Sequence, residues 1–308
     1  MKIHVVGLTL LTCTLATISA NAGDDMAAQE KLDEATSLFA ERGVDLTPTT
    51  KAVEVLGQAE ALADDLDLKF DIMVLASRAL YWNAKLTSDN GDKKTLHWAG
   101  YEKGKAAAEM MKKAGMDWYA EGYYYAGINL GKWGLANGIQ SSLGRRCELV
   151  HYAKVAMSKG TRSGEPGITI DGYGPYRTLA KLHKELPDVD FAMNCSGGEF
   201  NYPDEDMGDN GLAREYATKS VELTTNPAAT GYVDYKVLLN TVFLAELSDK
   251  VTACNLLRDL IKNETGKDED QNGLDDGLEA FNPDRVPETV EELNADAKPL
   301  FADLKCSN

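Results

Sequence analysis

The chain has 308 residues, a formal net charge of −17, a 44% hydrophobic fraction and a 26% charged fraction. That is enough apolar material for a sizeable core without metals or disulfides. So negative a chain repels phosphate backbones, which argues against nucleic-acid binding.

Residues 1–22 have the form of an export signal. Lys2 and His4 precede the apolar run Val5-Val6-Gly7-Leu8-Thr9-Leu10-Leu11, and the segment closes with Ala20-Asn21-Ala22. A basic start, an apolar stretch too short to span a bilayer and an Ala-x-Ala end predict cleavage after Ala22. The alternative is a lipoprotein acylated at Cys13, but Leu10-Leu11-Thr12 is a poor site for it. Loss of Lys2 makes the mature chain one unit more negative. No later run approaches the length of a membrane span.

Helical periodicity dominates the rest of the chain. Ala52, Val55, Leu56, Ala59, Leu62, Ala63 and Leu66 recur at spacings of three and four, as do Val290, Leu293, Ala297, Leu300, Phe301 and Leu304. Thr47-Pro48 and Asn226-Pro227 each match an N-cap followed by a first-turn proline. Lys112-Lys113-Ala114-Gly115 and Lys159-Gly160 place cations in a last turn and glycine just beyond it. Helices are expected to start near residues 25, 48, 68, 94, 117, 140, 175, 210, 228, 249 and 287. Residues 161–174, with four glycines and Pro166, and 187–211, with seven acidic residues and no Lys or Arg, are expected to be surface loops.

The helices look paired. A small alanine sits mid-helix in Leu56-Gly57-Gln58-Ala59, Gly104-Lys105-Ala106-Ala107, His151-Tyr152-Ala153, Glu215-Tyr216-Ala217 and Val251-Thr252-Ala253. Intervening segments such as 68–86 and 118–136 are apolar nearly all round, as helices packed on both sides should be. The expectation is an all-α, tetratricopeptide-like helical-repeat solenoid over residues 23–264. Residues 265–308 would add a calcium-type loop and a C-terminal capping helix.

Residues 118–186 carry a family resemblance. Tyr123-Tyr124-Tyr125-Ala126-Gly127-Ile128-Asn129-Leu130-Gly131-Lys132-Trp133 runs on to Ala136-Asn137-Gly138-Ile139. Gly172-Tyr173-Gly174-Pro175-Tyr176-Arg177-Thr178-Leu179 comes next, closing at Leu186-Pro187. With Ala213-Arg214-Glu215-Tyr216-Ala217 and Leu244-Ala245-Glu246-Leu247, the chain resembles the periplasmic TatT family over roughly residues 50–262. These are tetratricopeptide-type proteins associated with TRAP transporters. The resemblance implies a helical scaffold that docks a transporter's substrate-binding protein, and it allows for a homo-oligomer. The four mature cysteines, the insertion at 188–209 and the calcium-type loop depart from the family pattern.

The sharpest local motif runs from Asp268 to Glu279 and satisfies D-x-[DN]-x-[DN]-G-x5-E. Hard Ca²⁺ takes several oxygens, and Gly273 permits the bend. The expected ligands are the side chains of Asp268, Asp270, Asn272 and Glu279, with Asp276 direct or through water and the Leu274 carbonyl. Asp275 stands where an EF-hand usually has an apolar residue, and the run also resembles bacterial thrombospondin-type-3 repeats. Without a cation the loop would be an acidic turn between helices.

Cys147, Cys195, Cys254 and Cys306 remain after export, an even count that favours disulfides outside the cytosol. An antiparallel helix pair would join Cys254 to Cys306, which leaves Cys147 with Cys195. Cys147 and His151 lie four apart, yet zinc needs further ligands and none has a suitable spacing. Trp118, Tyr119, Tyr123, Trp133, Tyr176 and Arg177 are candidates for a ligand groove, although the consecutive Tyr123–Tyr125 cannot all face one way. His97 and His183 are isolated. No Gly-x-Ser-x-Gly or His-Glu-x-x-His occurs. The sequence therefore points to an exported, non-enzymatic binding scaffold of the TatT type. The alternative is a calcium-stabilised envelope or extracellular adaptor unconnected with transport.

Overall fold

The computed structural model describes residues 7–43, 45–186, 195, 200–203, 208–224, 250–264, 267, 269, 290 and 293–307, with backbone only for 7–22. The described residues are helical, joined by short turns and isolated bridges, with no sheet among them.

The helices are α1 (Gly7–Ala40), α2 (Thr47–Leu62), α3 (Leu66–Leu86), α4 (Asn90–Lys113), α5 (Ala120–Asn137), the short α6 (Ile139–Ser142), α7 (Arg146–Ser158), α8 (Ile170–Glu185), α9 (Asn210–Thr224), α10 (Lys250–Ile261) and α11 (Lys298–Asp303). They pack in sequential pairs. Helix α1 lies on α2, α2 on α3, α3 on α4, α4 on α5, α5 on α7 and α8 on α9. A second set of contacts skips one element, joining α1 to α3 and α3 to α5. None of these helices is long and apolar enough to cross a membrane.

The close packing comes from small side chains. Ala52, Ala59 and Ala79 are fully buried in the seam of α1, α2 and α3, beside Leu56 and Ile72. Between α4 and α5 the helices approach more closely still. A Cβ on Gly104 would lie 2.6 Å from the Ala126 nitrogen, and one on Gly122 would lie 3.0 Å from the Ala108 nitrogen. Larger residues there would force the helices apart, so close contact depends on the absent side chains. Each leucine-sized side chain buried in the seams contributes roughly 1.5–3 kcal/mol before the entropy of ordering is charged against it.

Polar groups in the seams are matched. Asn129 donates to the Ser77 carbonyl and hydroxyl, each at 3.2 Å, while its Oδ1 meets His97 Nδ1 at 3.1 Å. Ser77 in turn donates to the Gly100 carbonyl at 2.7 Å. One buried network thus joins α3, α4 and α5. Thr49 of α2 similarly donates to Asn83 of α3. Asp25 accepts the Asp64 and Asp65 N–H groups at 2.8 and 3.0 Å, pinning α1 to the turn between α2 and α3.

Several boundaries differ from expectation. Thr47 is the first residue of α2 rather than its cap; its N–H is taken by Asp45 Oδ1 at 2.8 Å. Helix α4 begins at Asn90, four residues early, because Asp89 caps it by accepting the Asp92 N–H at 2.8 Å. Helix α5 starts at Ala120 because the Ala120 N–H is drawn to the Gly160 carbonyl at 2.8 Å. Gly160 is accordingly a bridge partner of Tyr119, not a left-handed helix terminator, whereas Gly115 does adopt φ +73° after α4. A helix from residue 140 gives way to the short α6 and a fresh start at Arg146. Helix α1 passes without a break through the expected cleavage point after Ala22. The helix expected near residue 228 lies outside the described residues.

Both disulfides are present, Cys147–Cys195 with Cα atoms 5.3 Å apart and Cys254–Cys306 at 5.4 Å. The second joins α10 to the chain just beyond α11. There Leu257 and Leu260 pack on Leu293 and Ala297, with Leu300 and Phe301 alongside.

Candidate functional site

The six residues expected to line a groove fall into separate contacts. Trp118 is 51% exposed, and its ring meets Tyr119 edge-on at 6.1 Å. Tyr119 turns toward Phe70, 5.1 Å away. Tyr123 is buried against Tyr152 and donates to Asp117 at 2.6 Å. Trp133 packs on Trp98 at 5.1 Å, and Tyr176 on Tyr216 at 6.3 Å. Tyr123 is thus core, while Tyr119, Trp133 and Tyr176 are half-buried and pack against different core clusters. Trp118 is the member with the most ring open to solvent.

Arg177 has a different role. Asp171, Gly172 and Tyr173 adopt successive left-handed conformations, with φ of 54°, 58° and 63°. Asp tolerates that region, but Tyr is an uncommon occupant and needs outside support. Arg177 provides it by donating to the carbonyls of Asp171 and Gly172, with Asp171 Oδ2 3.4 Å away. Tyr124 donates to the same carboxylate at 2.8 Å. Burial, then the Asp171 charge, pushes the Tyr124 hydroxyl well above its ordinary pKa, so it stays a donor. Gly174 lies so close to the Tyr124 ring that a Cβ there would collide with it.

A charged bay beside Trp118 was not foreseen from sequence. Arg162 meets Asp71 at 3.2 Å and Asp67 at 3.2 Å, donates to the Tyr119 hydroxyl at 3.0 Å, and its backbone N–H donates to Glu121 Oε1 at 2.7 Å. Its guanidinium thus faces two carboxylates, and its backbone N–H holds a third. Desolvation by burial raises the pKa of both Asp71 and Glu121 despite the arginine. Asp67 and Glu121 open α3 and α5, where helix dipoles favour acids, and that much was legible. Their meeting with an arginine 91 residues from Asp71 was not.

A second cluster centres on Glu148, which is 8% exposed. Tyr101 donates to it at 2.5 Å and Arg145 at 2.7 Å, with Lys105 at 3.8 Å. The Arg145 guanidinium lies 4.8 Å over Trp98. Desolvation and the adjacent carboxylate raise the Tyr101 pKa, keeping it protonated as a donor. This arrangement neutralises a buried acid and fixes the α4–α7 contact.

The three described histidines, His97, His151 and His183, each sit in packed or hydrogen-bonded positions. His97 is 4% exposed, and burial depresses its pKa to about 4. His183 is fully buried and stacks on Tyr216 at 5.8 Å. Cys147 is committed to its disulfide, and His151 Nδ1 bonds Tyr202 Oη at 2.9 Å. Among the described residues no group of three or more His, Cys, Asp or Glu could hold a metal ion. The expected calcium ligands Asp268, Asp270, Asn272, Leu274, Asp276 and Glu279 lie outside the described residues.

No protein-family model matches this chain, and no curated protein matches it.

Proposed function

We propose that the chain is an exported, non-catalytic helical-repeat scaffold of the TatT type that docks the substrate-binding protein of a TRAP-type transporter. The observation that carries this reading is the contact between the two halves of the resemblance motif. Tyr124, from the aromatic helix, sits on Gly174 and bonds Asp171, while Arg177 holds the same turn. A motif whose separated pieces meet in space behaves as one unit. Sequential helix pairing and contacts that skip one helix fit a tetratricopeptide-like solenoid. Two disulfides fit an oxidising compartment outside the cytosol.

Trp118 supports a docking role. Its ring is half-exposed, and tryptophan is among the residue types enriched in interface hot spots. The Arg162 bay beside it would supply the polar rim. Affinity capture with the mature chain from a periplasm-plus-membrane extract should recover an exported substrate-binding protein. Recovery of none, from cells that express such a transporter, would remove the proposal.

The loop at 268–279 is proposed to bind one Ca²⁺ in a structural role. Its flanking helices are tied by Cys254–Cys306, so an angle set by the ion would be passed to the Leu257–Leu293 contact. Saturating Ca²⁺ at a hundredfold excess over Kd would add about 2.7 kcal/mol. Asp270→Ala with Glu279→Ala should abolish that gain, and the gain should be larger in reduced protein. Equal melting curves in calcium and in chelator, in both redox states, would reduce the loop to an acidic turn.

A further inference from the structure

Helices α1, α3 and α5 meet along one side of the fold, and Arg78 of α3 reaches both of its neighbours there. Its guanidinium lies 5.2 Å over the Phe39 ring of α1 and 5.4 Å over the Tyr125 ring of α5. The Arg42 guanidinium stands 5.0 Å over the same Phe39 ring. Arg78 is half-buried, and among the described residues it has these ring contacts but no hydrogen bond and no ion pair. Ring faces attract a guanidinium, yet they offer no lone pair to the five N–H donors in its plane. A cation drawn out of water with its donors unused is costly unless an acceptor reaches it. No acid of its own helix does so. Residues 72–86 of α3 and 122–137 of α5 hold Arg78, Lys85 and Lys132 but no Asp or Glu. The nearest acid before Arg78 on α3 is Asp71, about 10 Å along the helix, and it already pairs with Arg162.

We infer that Arg78 anchors a site for a small aromatic carboxylate, the carboxylate on its guanidinium fork and the ligand ring beside Phe39 and Tyr125. Two carboxylate oxygens match two parallel N–H bonds of an arginine. The flanking rings favour an aromatic body over an aliphatic one, through offset or edge contacts. One unmatched guanidinium balances one negative charge. A phosphate carries about −1.5 to −2 and would bring surplus charge into a chain of net charge −17. Amines and metal cations are repelled by Arg78. The Asn129–Ser77 bonds fix α5 on α3, so two of the three helices that supply the site are already locked together and little ordering is needed on binding. The site shares no residue with the Trp118 surface and does not rest on the docking role.

Benzoate, acetate, benzyl alcohol and inorganic phosphate are titrated into the purified, oxidised chain by calorimetry, with amide shift mapping by NMR. Benzoate should bind one to one, about tenfold or more tighter than each of the other three, since charge-assisted bonds and ring contact are both required. Shifts should concentrate in residues 36–42, 74–82 and 121–129. Arg78→Gln should weaken benzoate about tenfold or more at an unchanged helical spectrum, and leave benzyl alcohol as it was. Should that variant unfold, Arg78→Lys replaces it; the charge stays, the fork is lost, and benzoate should still weaken severalfold. No benzoate binding, equal affinity for acetate, benzyl alcohol or phosphate, a variant that binds like the parent, or shifts elsewhere would each overturn the assignment.

Discussion

The Tyr124 hydroxyl donates to Asp171 Oδ2 at 2.8 Å across 47 residues of sequence, and Arg177 grips the carbonyl of that same Asp171. The aromatic helix and the Gly-Pro-x-Arg helix start are therefore parts of one contact. Tyr124→Phe should remove one charge-assisted hydrogen bond and leave the Asp171 carboxylate short of a buried donor. We expect a loss of about 1.5–3 kcal/mol in urea unfolding. Arg177→Lys should cost more than Tyr124→Phe, because an ammonium cannot reproduce the fork over two carbonyls. Equal stability of parent and both variants would show that the left-handed turn holds itself.

Glycine substitutions separate close packing from mere helix content. Gly57 is exposed on α2, and a Cβ there meets nothing within 4 Å. Gly57→Ala should stabilise the chain by about 0.5–1 kcal/mol, the ordinary helix-interior gain over glycine. Gly104→Ala should instead destabilise it by about 1–3 kcal/mol, since its Cβ would lie 2.6 Å from the Ala126 nitrogen. Thermal melts of both variants, compared with the parent, decide the matter; shifts of the same sign would mean that α4 and α5 are not so close.

His97 sets a pH dependence of definite sign. Burial holds its folded pKa at about 4, below the unfolded value of 6.5. Between these values the unfolded chain binds the proton more readily, so stability falls as pH falls from 6.5 toward 4. The full contribution is about 3 kcal/mol at 1.36 kcal/mol per unit. His97→Gln should flatten this part of the profile by that order. Glu121 acts oppositely: its folded pKa is raised, so its charged form opposes folding above the window. Glu121→Gln should therefore be neutral or mildly stabilising at pH 7, with its advantage fading on acidification. A profile unchanged by His97→Gln would contradict the buried neutral imidazole.

Arg162 is a staple between distant elements, reaching Asp67 and Asp71 on α3 and Glu121 on α5. Asp67 and Asp71 are each about one-third exposed, which limits what a pair is worth. Arg162→Ala should still cost about 1 kcal/mol, because Asp67 and Asp71 lose their shared cation. Unfolding at low and high salt checks this, with a smaller loss expected in high salt.

How far the sequence disclosed this molecule depended on the range of the interactions. Helix periodicity and pairing were legible because Ala52, Val55, Leu56 and Ala59 repeat at local spacings. The disulfide partners came from antiparallel pairing of two helices. The motif residues Asn129 and Gly174 stood out, but their work did not. Asn129 joins Ser77 and His97, and Gly174 accommodates Tyr124, both across more than thirty residues. The Arg162 bay was invisible for the same reason: a lone arginine in a glycine-rich loop carries no local sign of partners on α3. The aromatic run overstated the groove, since a helix sends consecutive tyrosines to different seams.

The docking proposal is tested most directly by a photo-crosslinking amino acid placed at Trp118 in cells, with Gly57 as the exposed control position on α2. Irradiation should link position 118, and not position 57, to an exported substrate-binding protein identified by mass spectrometry. Absence of that product at 118, or equal yields at both positions, would contradict docking through this surface.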